Sequence, residues 1–186
     1  MRIRWRHAPR TRLRPMTPAD GVALDAVFAG LSARSREQRF HGDLPRLAGA
    51  ARTALLAIDG VHHVGVVAEA HVAGAWQPIG IGRYVVDPSG EEAEVAFEVV
   101  DAWQGRGIGR LLLTDLVATA RRHGVSRLRA LVLPDNVGSL RLLRRVLPDQ
   151  RVVHAHGALE VVCELELQPL HLSDVLDDLG AISVAA

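Results

Sequence analysis

Residues 94–100, Glu-Val-Ala-Phe-Glu-Val-Val, run directly into Asp101-Ala102-Trp103-Gln104-Gly105-Arg106-Gly107-Ile108-Gly109. Leu111, Leu112, Asp115, Leu116, Ala118, Thr119 and Arg122 then follow at helical spacing, up to a stop at His123-Gly124. A strand, a glycine loop and an amphipathic helix in that order commit the chain to a mixed α/β fold. They also suggest a ligand. The first amides of a helix have no backbone acceptor, the helix dipole favours an anion there, and glycines let the backbone approach without interference from Cβ. The loop therefore reads as a phosphate or pyrophosphate cradle, with Arg106 and Arg110 placed to add charge-assisted contacts.

Two common phosphate loops fail on their own residues. In the dinucleotide fingerprint G-x-G-x-x-G the third glycine would fall on Arg110, and no βαβ unit opens the chain. The Walker loop needs a lysine, and all 22 basic residues are arginine. That absence also removes Schiff-base chemistry and a lysine general base.

The remaining chain of 186 residues is organised as one domain around this unit. Residues 11–16 alternate as a short strand, and Thr17-Pro18 offers a helix cap with proline at the first helical position. Leu24, Val27, Phe28 and Leu31 predict the helix itself, and residues 35–56 predict more helix, or helix with a break at 42–45. From His62 the period becomes two. Val64, Val66 and Ala68 mark one strand, Ala73-Gly74 a turn, and residues 79–86 a second strand ending at Asp87-Pro88-Ser89-Gly90. Beyond the central unit come a strand over 127–133, a break at Pro134-Asp135-Asn136, a helix over 139–146 and two closing strands over 151–156 and 159–167. Residues 1–10 form an arginine-rich arm, 11–168 the domain, and 169–186 a tail with a helix-like stretch at 173–179.

Several function classes drop out. With 22 basic against 21 acidic residues there is no overall field to draw the chain onto nucleic acid or membrane. The arm could serve a nucleic-acid-binding module, but it has no interleaved aromatics beyond Trp5 and no recognition helix follows it. No apolar run is long enough to span a membrane, and the single Cys163 cannot form an internal disulfide, so a soluble, cytoplasmic protein is expected. Cys163 lies in an apolar alternating strand and reads as a small buried hydrophobe. The nine histidines form no metal pattern. His62 and His63 would point to opposite faces of a strand, and His154 and His156 share a face without a carboxylate at ligand spacing.

The pattern Q-x-x-G-x-G, with an apolar strand before it and Leu111-Leu112-Leu113 after it, resembles the coenzyme A loop of the GNAT superfamily of acyl-CoA-dependent N-acyltransferases. Arg14-Pro15 and Pro18-Ala19-Asp20 are similar to that family's first strand and helix start, and Ile79-Gly80-Ile81-Gly82 to its third strand. Pro134-Asp135-Asn136-Val137-Gly138-Ser139 is similar to the motif in which an asparagine opens the helix beside the coenzyme. The resemblance covers about residues 11–167. It implies a mostly antiparallel sheet of six to seven strands, splayed between its fourth and fifth strands and flanked by about four helices. Acetyl-CoA would be the co-substrate, with no metal. The backbone of Phe97, Glu98 and Val99 would pair with the pantetheine arm. The amides of Gln104, Gly105, Arg106, Gly107, Ile108, Gly109 and Arg110 would bind the pyrophosphate, with Asn136 and Ser139 facing the coenzyme.

For the chemistry, an alkyl ammonium has a pKa of about 10.4, so transfer to an amine needs a nearby proton acceptor. Glu94 stands where many protein-lysine acetyltransferases of the superfamily carry a general-base glutamate, and Glu98, on the same face of the strand, is the alternative. The family often has a tyrosine late in the asparagine-initiated helix to protonate the departing thiolate. That position is Leu143 here, and Tyr84 lies on another strand, so the general acid is unassigned. Residues 31–40 resemble a segment of bacterial protein-lysine acetyltransferases, including those that modify acyl-CoA synthetases. The expected acceptor is therefore a lysine in a protein, with a small-molecule amine as the alternative and a monomer or homodimer as the assembly.

Overall fold

The computed structural model describes residues 9–155 and 157–166. Strand β1 (Thr11–Pro15) is followed by three helices, α1 (Gly21–Ala29), α2 (Ala33–Phe40) and α3 (Gly49–Leu55). Next come β2 (His63–Val72), β3 (Ala75–Val86), β4 (Glu92–Val99), a 3-10 turn at Asp101–Trp103, and α4 (Ile108–Arg122). The chain closes with β5 (Arg127–Val132), α5 (Val137–Val146), β6 (Arg151–Ala155) and β7 (Ala158–Glu164). All seven strands form one sheet in the order β1-β2-β3-β4-β5-β7-β6. Every neighbouring pair is antiparallel except β4 and β5.

Apolar residues on both faces of the sheet produce a layered core. On one face Leu112, Leu113 and Leu116 of α4 and Leu143 of α5 pack on Tyr84, Val95, Leu128 and Val161. On the other, Leu24 and Val27 of α1 pack with Met16, Ile58, Val67 and Ile81. Close approach of α4 depends on Gly82, where an added Cβ would lie 2.8 Å from Leu116 Cδ1. Cys163 is buried in the first cluster, and burial pushes its thiol up.

Three expectations need correcting. The first helix does not start at Pro18 under a Thr17 cap. Residues 17–20 form a turn, because the Asp20 carboxylate accepts from Thr17 N at 2.8 Å and Oγ1 at 3.0 Å while Arg14 Nη2 donates to it at 2.7 Å. The helix therefore begins at Gly21. The stretch 35–56 is helix with a break, as one of the two expected forms has it, and its two parts, α2 and α3, bring the helices among the described residues to five. β3 starts at Ala75, four residues earlier than the periodicity suggests. A register shift pairs Ala68 with Gly80 but Glu69 with Pro78, so the alternation breaks where proline, which has no N–H, joins the strand. β7 ends at Glu164, with Leu165 and Glu166 already outside it. Most of the arginine arm, His156 and the tail helix at 173–179 lie outside the described residues. Among the described residues no helix is long and apolar enough to cross a membrane, and no His, Cys, Asp and Glu side chains cluster as metal ligands.

Candidate functional site

The parallel pairing of β4 with β5 stops early. Glu92, Ala93 and Glu94 match Arg127, Leu128 and Arg129, and beyond them the strands part. β4 stays paired with β3 as far as Val99, and β5 stays paired with β7 as far as Val132. Residues 95–99 thus have one edge facing no strand. The gap is a cleft of about 980 Å3, walled by 94–99 of β4, 130–132 of β5, the start of α4, the inner side of α5 and part of α2.

One end of the cleft is built by the glycine loop. Gly107 caps α4 with φ 84° and ψ −1°, a left-handed conformation that glycine adopts without penalty, and nothing lies within 4 Å of where a Cβ would stand. Glycine is required here by the backbone, not by crowding. The first turn-closing bond of α4 runs from Leu111 N to Gly107 O at 3.0 Å, which leaves the amides of Ile108, Gly109 and Arg110 without helix acceptors. Their helix end opens on the cleft.

Not every loop residue shares that task. The Gln104 amide donates to Asp101 O at 3.2 Å, closing the 3-10 turn, and its side-chain Nε2 donates to Val99 O at 3.0 Å, Asp101 Oδ1 at 3.1 Å and Ser35 Oγ at 3.3 Å. Gln104 thus braces the loop and occupies the Val99 carbonyl that the resemblance assigned to pantetheine. The Arg106 guanidinium stacks over Trp103 at 5.1 Å and stands off the cleft wall, whereas Arg110 is part of it.

Across the cleft, Asn136 caps α5: its Oδ1 accepts from Ser139 N at 3.1 Å. Asn136, Ser139 and the buried Leu143 all line the wall, so the tyrosine position offers apolar surface and no proton. Tyr84 is buried away from the cleft with its hydroxyl 2.8 Å from His123 Nδ1, and burial pushes its phenol well above the ordinary value.

Glu94 and Glu98 of β4 share a face, as the period of two demands, but differ in surroundings. Glu94 lies at the parting of the strands, half exposed, with Oε2 accepting from Arg129 Nη2 at 3.1 Å. Glu98 is buried. Its Oε1 accepts from Arg83 at 2.7 Å and its Oε2 from Arg39 at 2.6 Å, so both oxygens are engaged by guanidinium groups. Arg83 is itself only 3% exposed, and its Nε and Nη1 have no partner. Nearby His63 is also buried, and burial together with the charge of Arg83 pulls its imidazole pKa down.

Helix α2 forms the remaining wall. It buries none of its residues and is held by polar contacts: Ser35 Oγ donates to Asp101 Oδ1 at 2.7 Å, Ser32 N donates to Asp101 Oδ2 at 3.3 Å, and Arg39 reaches Glu98. The 31–40 segment is thereby fastened to the 3-10 turn before the glycine loop at one end and to β4 at the other. The roles of Arg39, Arg83, Asp101 and Ser35 escaped the sequence reading. The available signal was Arg83, a charge inside the otherwise apolar strand 79–86, which needs a buried partner.

Comparison with known proteins agrees with this architecture. Residues 34–147 match the model of the Acetyltransferase (GNAT) family. The chain is 30% identical over 112 residues to the acetyltransferase PA5475 of Pseudomonas aeruginosa and 46% identical over 54 residues to the acetyltransferase Pat of Mycolicibacterium smegmatis. These stretches cover 60% and 29% of this chain, and 60% and 16% of those two proteins. The crystal structure of the GNAT domain of S. lividans PAT superposes with a TM-score of 0.73 at 30% identity, covering 83% of this chain and 90% of that one. A sheet parted between β4 and β5, a left-handed glycine at the head of α4 and a family match across more than half the sequence lead to one conclusion: the chain belongs to the acetyltransferase (GNAT) family.

Proposed function

We propose that this chain transfers the acetyl group of acetyl-CoA to a primary amine, most specifically the ε-amine of a lysine in a protein such as an acyl-CoA synthetase. The observation that carries the reading is the continuity of the cleft. Three unpaired amides at the head of α4 suit a pyrophosphate, the strand edge at 95–99 suits the amide-bearing pantetheine arm, and Glu94 stands where β4 and β5 part.

The chemistry follows from the order of these groups. The amine nitrogen attacks the thioester carbonyl carbon, and the Glu94 carboxylate takes the proton that the nitrogen must lose. The tetrahedral intermediate collapses with cleavage of the C–S bond, and the electron pair leaves on sulfur. A coenzyme thiol is a fair leaving group, comparable with a cysteine thiol of pKa about 8.5, so the apolar Leu143 wall is tolerable where a tyrosine could have assisted. Glu98 has a supporting part, because both of its oxygens are held by Arg39 and Arg83.

The lysine acceptor is supported by the resemblance of residues 31–40 and 93–97 to bacterial protein-lysine acetyltransferases, and by relatives that bear the names Pat and PAT. The test is to incubate the protein and labelled acetyl-CoA with a cell lysate and separate proteins from small molecules. Label on lysines of the protein fraction is expected. This chain contains no lysine, so it cannot contribute lysine label itself. Label confined to small amines would replace the protein acceptor with a metabolite.

A further inference from the structure

We infer that His41, with Gln38 one turn before it on α2, recognises the main chain of a polypeptide acceptor beside its reactive lysine; this rests on the acceptor reading above.

The inference starts from a backbone conformation. His41 closes α2 with φ 56° and ψ 32°, its N–H donating to Glu37 O at 2.8 Å. That left-handed conformation is strained for a residue with a Cβ, and helices favour glycine at this position. Elsewhere among the described residues the chain meets the same demand with glycine, as at Gly107, Gly124 and Gly157, and only His41 and Ala73 depart from it. Ala73 shares the tight turn between β2 and β3 with Gly74, which is also at positive φ. A glycine follows His41 directly, at Gly42, yet it is the histidine that occupies the cap. The imidazole is thus kept where helix closure alone favours its removal, and residues held in this way gather where a side chain is used.

Both His41 and Gln38 line the cleft, and neither side chain has a hydrogen bond, ion pair or ring contact among the described residues. Helix α2 runs back along β4: Ser35 is bonded to Asp101, just beyond the strand, and Arg39 to Glu98 within it. Its last turn therefore points towards the Glu94 end. The charged groups there are already engaged, Arg39 with Glu98, Glu98 also with Arg83, and Glu94 with Arg129. No free guanidinium in this part of the wall is left to hold the carboxylate of a small amino acid. What an acceptor meets besides Glu94 is a carboxamide and an imidazole, groups that both donate and accept. They match the N–H and C=O groups that flank a lysine in a polypeptide.

Initial rates with two probes test the inference: the capped peptide acetyl-Gly-Gly-Lys-Gly-Gly-amide, and n-pentylamine, an alkylamine without flanking amides. The unsubstituted protein should show kcat/KM for the peptide at least about tenfold above that for pentylamine. In His41→Gly that ratio should fall about three- to tenfold through a higher KM for the peptide, while the melting temperature stays at or above the parent's, because glycine takes the left-handed cap without strain. A residue that only closes the helix could not give that combination. His41→Asn also tolerates the conformation and keeps a donor and an acceptor, so it should restore most of the ratio. Gln38→Ala should lower the ratio as His41→Gly does, and Glu37→Gln, on the same helix but absent from the cleft wall, should leave it unchanged. A ratio near one in the unsubstituted protein, a ratio retained in His41→Gly, or a His41→Gly protein that melts lower and loses both probes alike would overturn the inference. If lysate proteins are labelled on lysine but the peptide is not acetylated, main-chain recognition is overturned and the acceptor reading stands. If no lysate protein is labelled, the acceptor reading itself is overturned.

Discussion

Replacing Glu98 by glutamine separates a structural glutamate from a catalytic one on the same strand. Glu98 is the only acidic partner of Arg83 and Arg39 among the described residues, and the side chains of Glu98 and Arg83 are each 3% exposed. Removing the carboxylate charge leaves Arg83, which already has an unpartnered Nε and Nη1, as an uncompensated buried cation. Breaking a buried pair by deleting one member costs about 3–5 kcal/mol, and since the glutamine oxygen can still accept one bond, about 3 kcal/mol is expected. For a chain of this size each kcal/mol moves the melting temperature by about 2–4 °C, so Glu98→Gln should melt about 6–12 °C lower. Glu94→Gln removes one half-exposed ion pair with Arg129, and its loss of stability should stay below about 1 kcal/mol. The assay is thermal and urea unfolding of both variants beside their turnover at a temperature where both are folded. Glu98→Gln should keep most of its turnover per folded molecule. A Glu98→Gln protein as stable as the parent but with turnover down a hundredfold would make Glu98 the base and refute the assignment of the two roles.

Other consequences follow from the same geometry. Gly107→Asp puts a side chain into a left-handed position and a negative charge at the unpaired amides, so acetyl-CoA binding measured by calorimetry should disappear; retained binding would dismiss the loop as the cradle. His63 has its pKa lowered by burial and by Arg83, so the unfolded chain takes up a proton more readily than the folded one. Stability should therefore fall as pH drops below about 6.5, and His63→Gln should flatten that part of a melting-temperature profile. Asp101→Ala removes the carboxylate to which Ser35, the Ser32 amide and Gln104 all donate, loosening α2 from the loop, and it should raise the acceptor KM by about three- to tenfold with a smaller change in stability, read from initial rates.

What could be read from the sequence was local. The strand, glycine loop and helix of 94–122 are legible because a left-handed cap demands glycine at 107 and because α4 buries Leu112, Leu113 and Leu116 on a repeating face. The Asn136 cap is equally local, since its acceptor bond reaches only three residues ahead. The role of Glu98 was hidden because it depends on Arg83, 15 residues away, and Arg39, 59 residues away, brought together by pairing β3 with β4 and by docking α2. The start of α1 was misplaced for the same kind of reason. Thr17-Pro18 is a sound start signal by itself, but Asp20 is drawn into a turn by Arg14 on the preceding strand. Long-range charge pairs leave no periodic trace, and they decided the details here.

The central claim is that Glu94 accepts the proton of the attacking amine in a cleft that binds acetyl-CoA independently of it. Its most direct test is the pH profile of kcat/KM for Glu94→Gln, measured beside the affinity for acetyl-CoA. The account predicts unchanged affinity, a rate lower by about a hundredfold or more, and loss of the acidic limb of the profile. An unchanged rate with the acidic limb intact would contradict it and move the base to another residue.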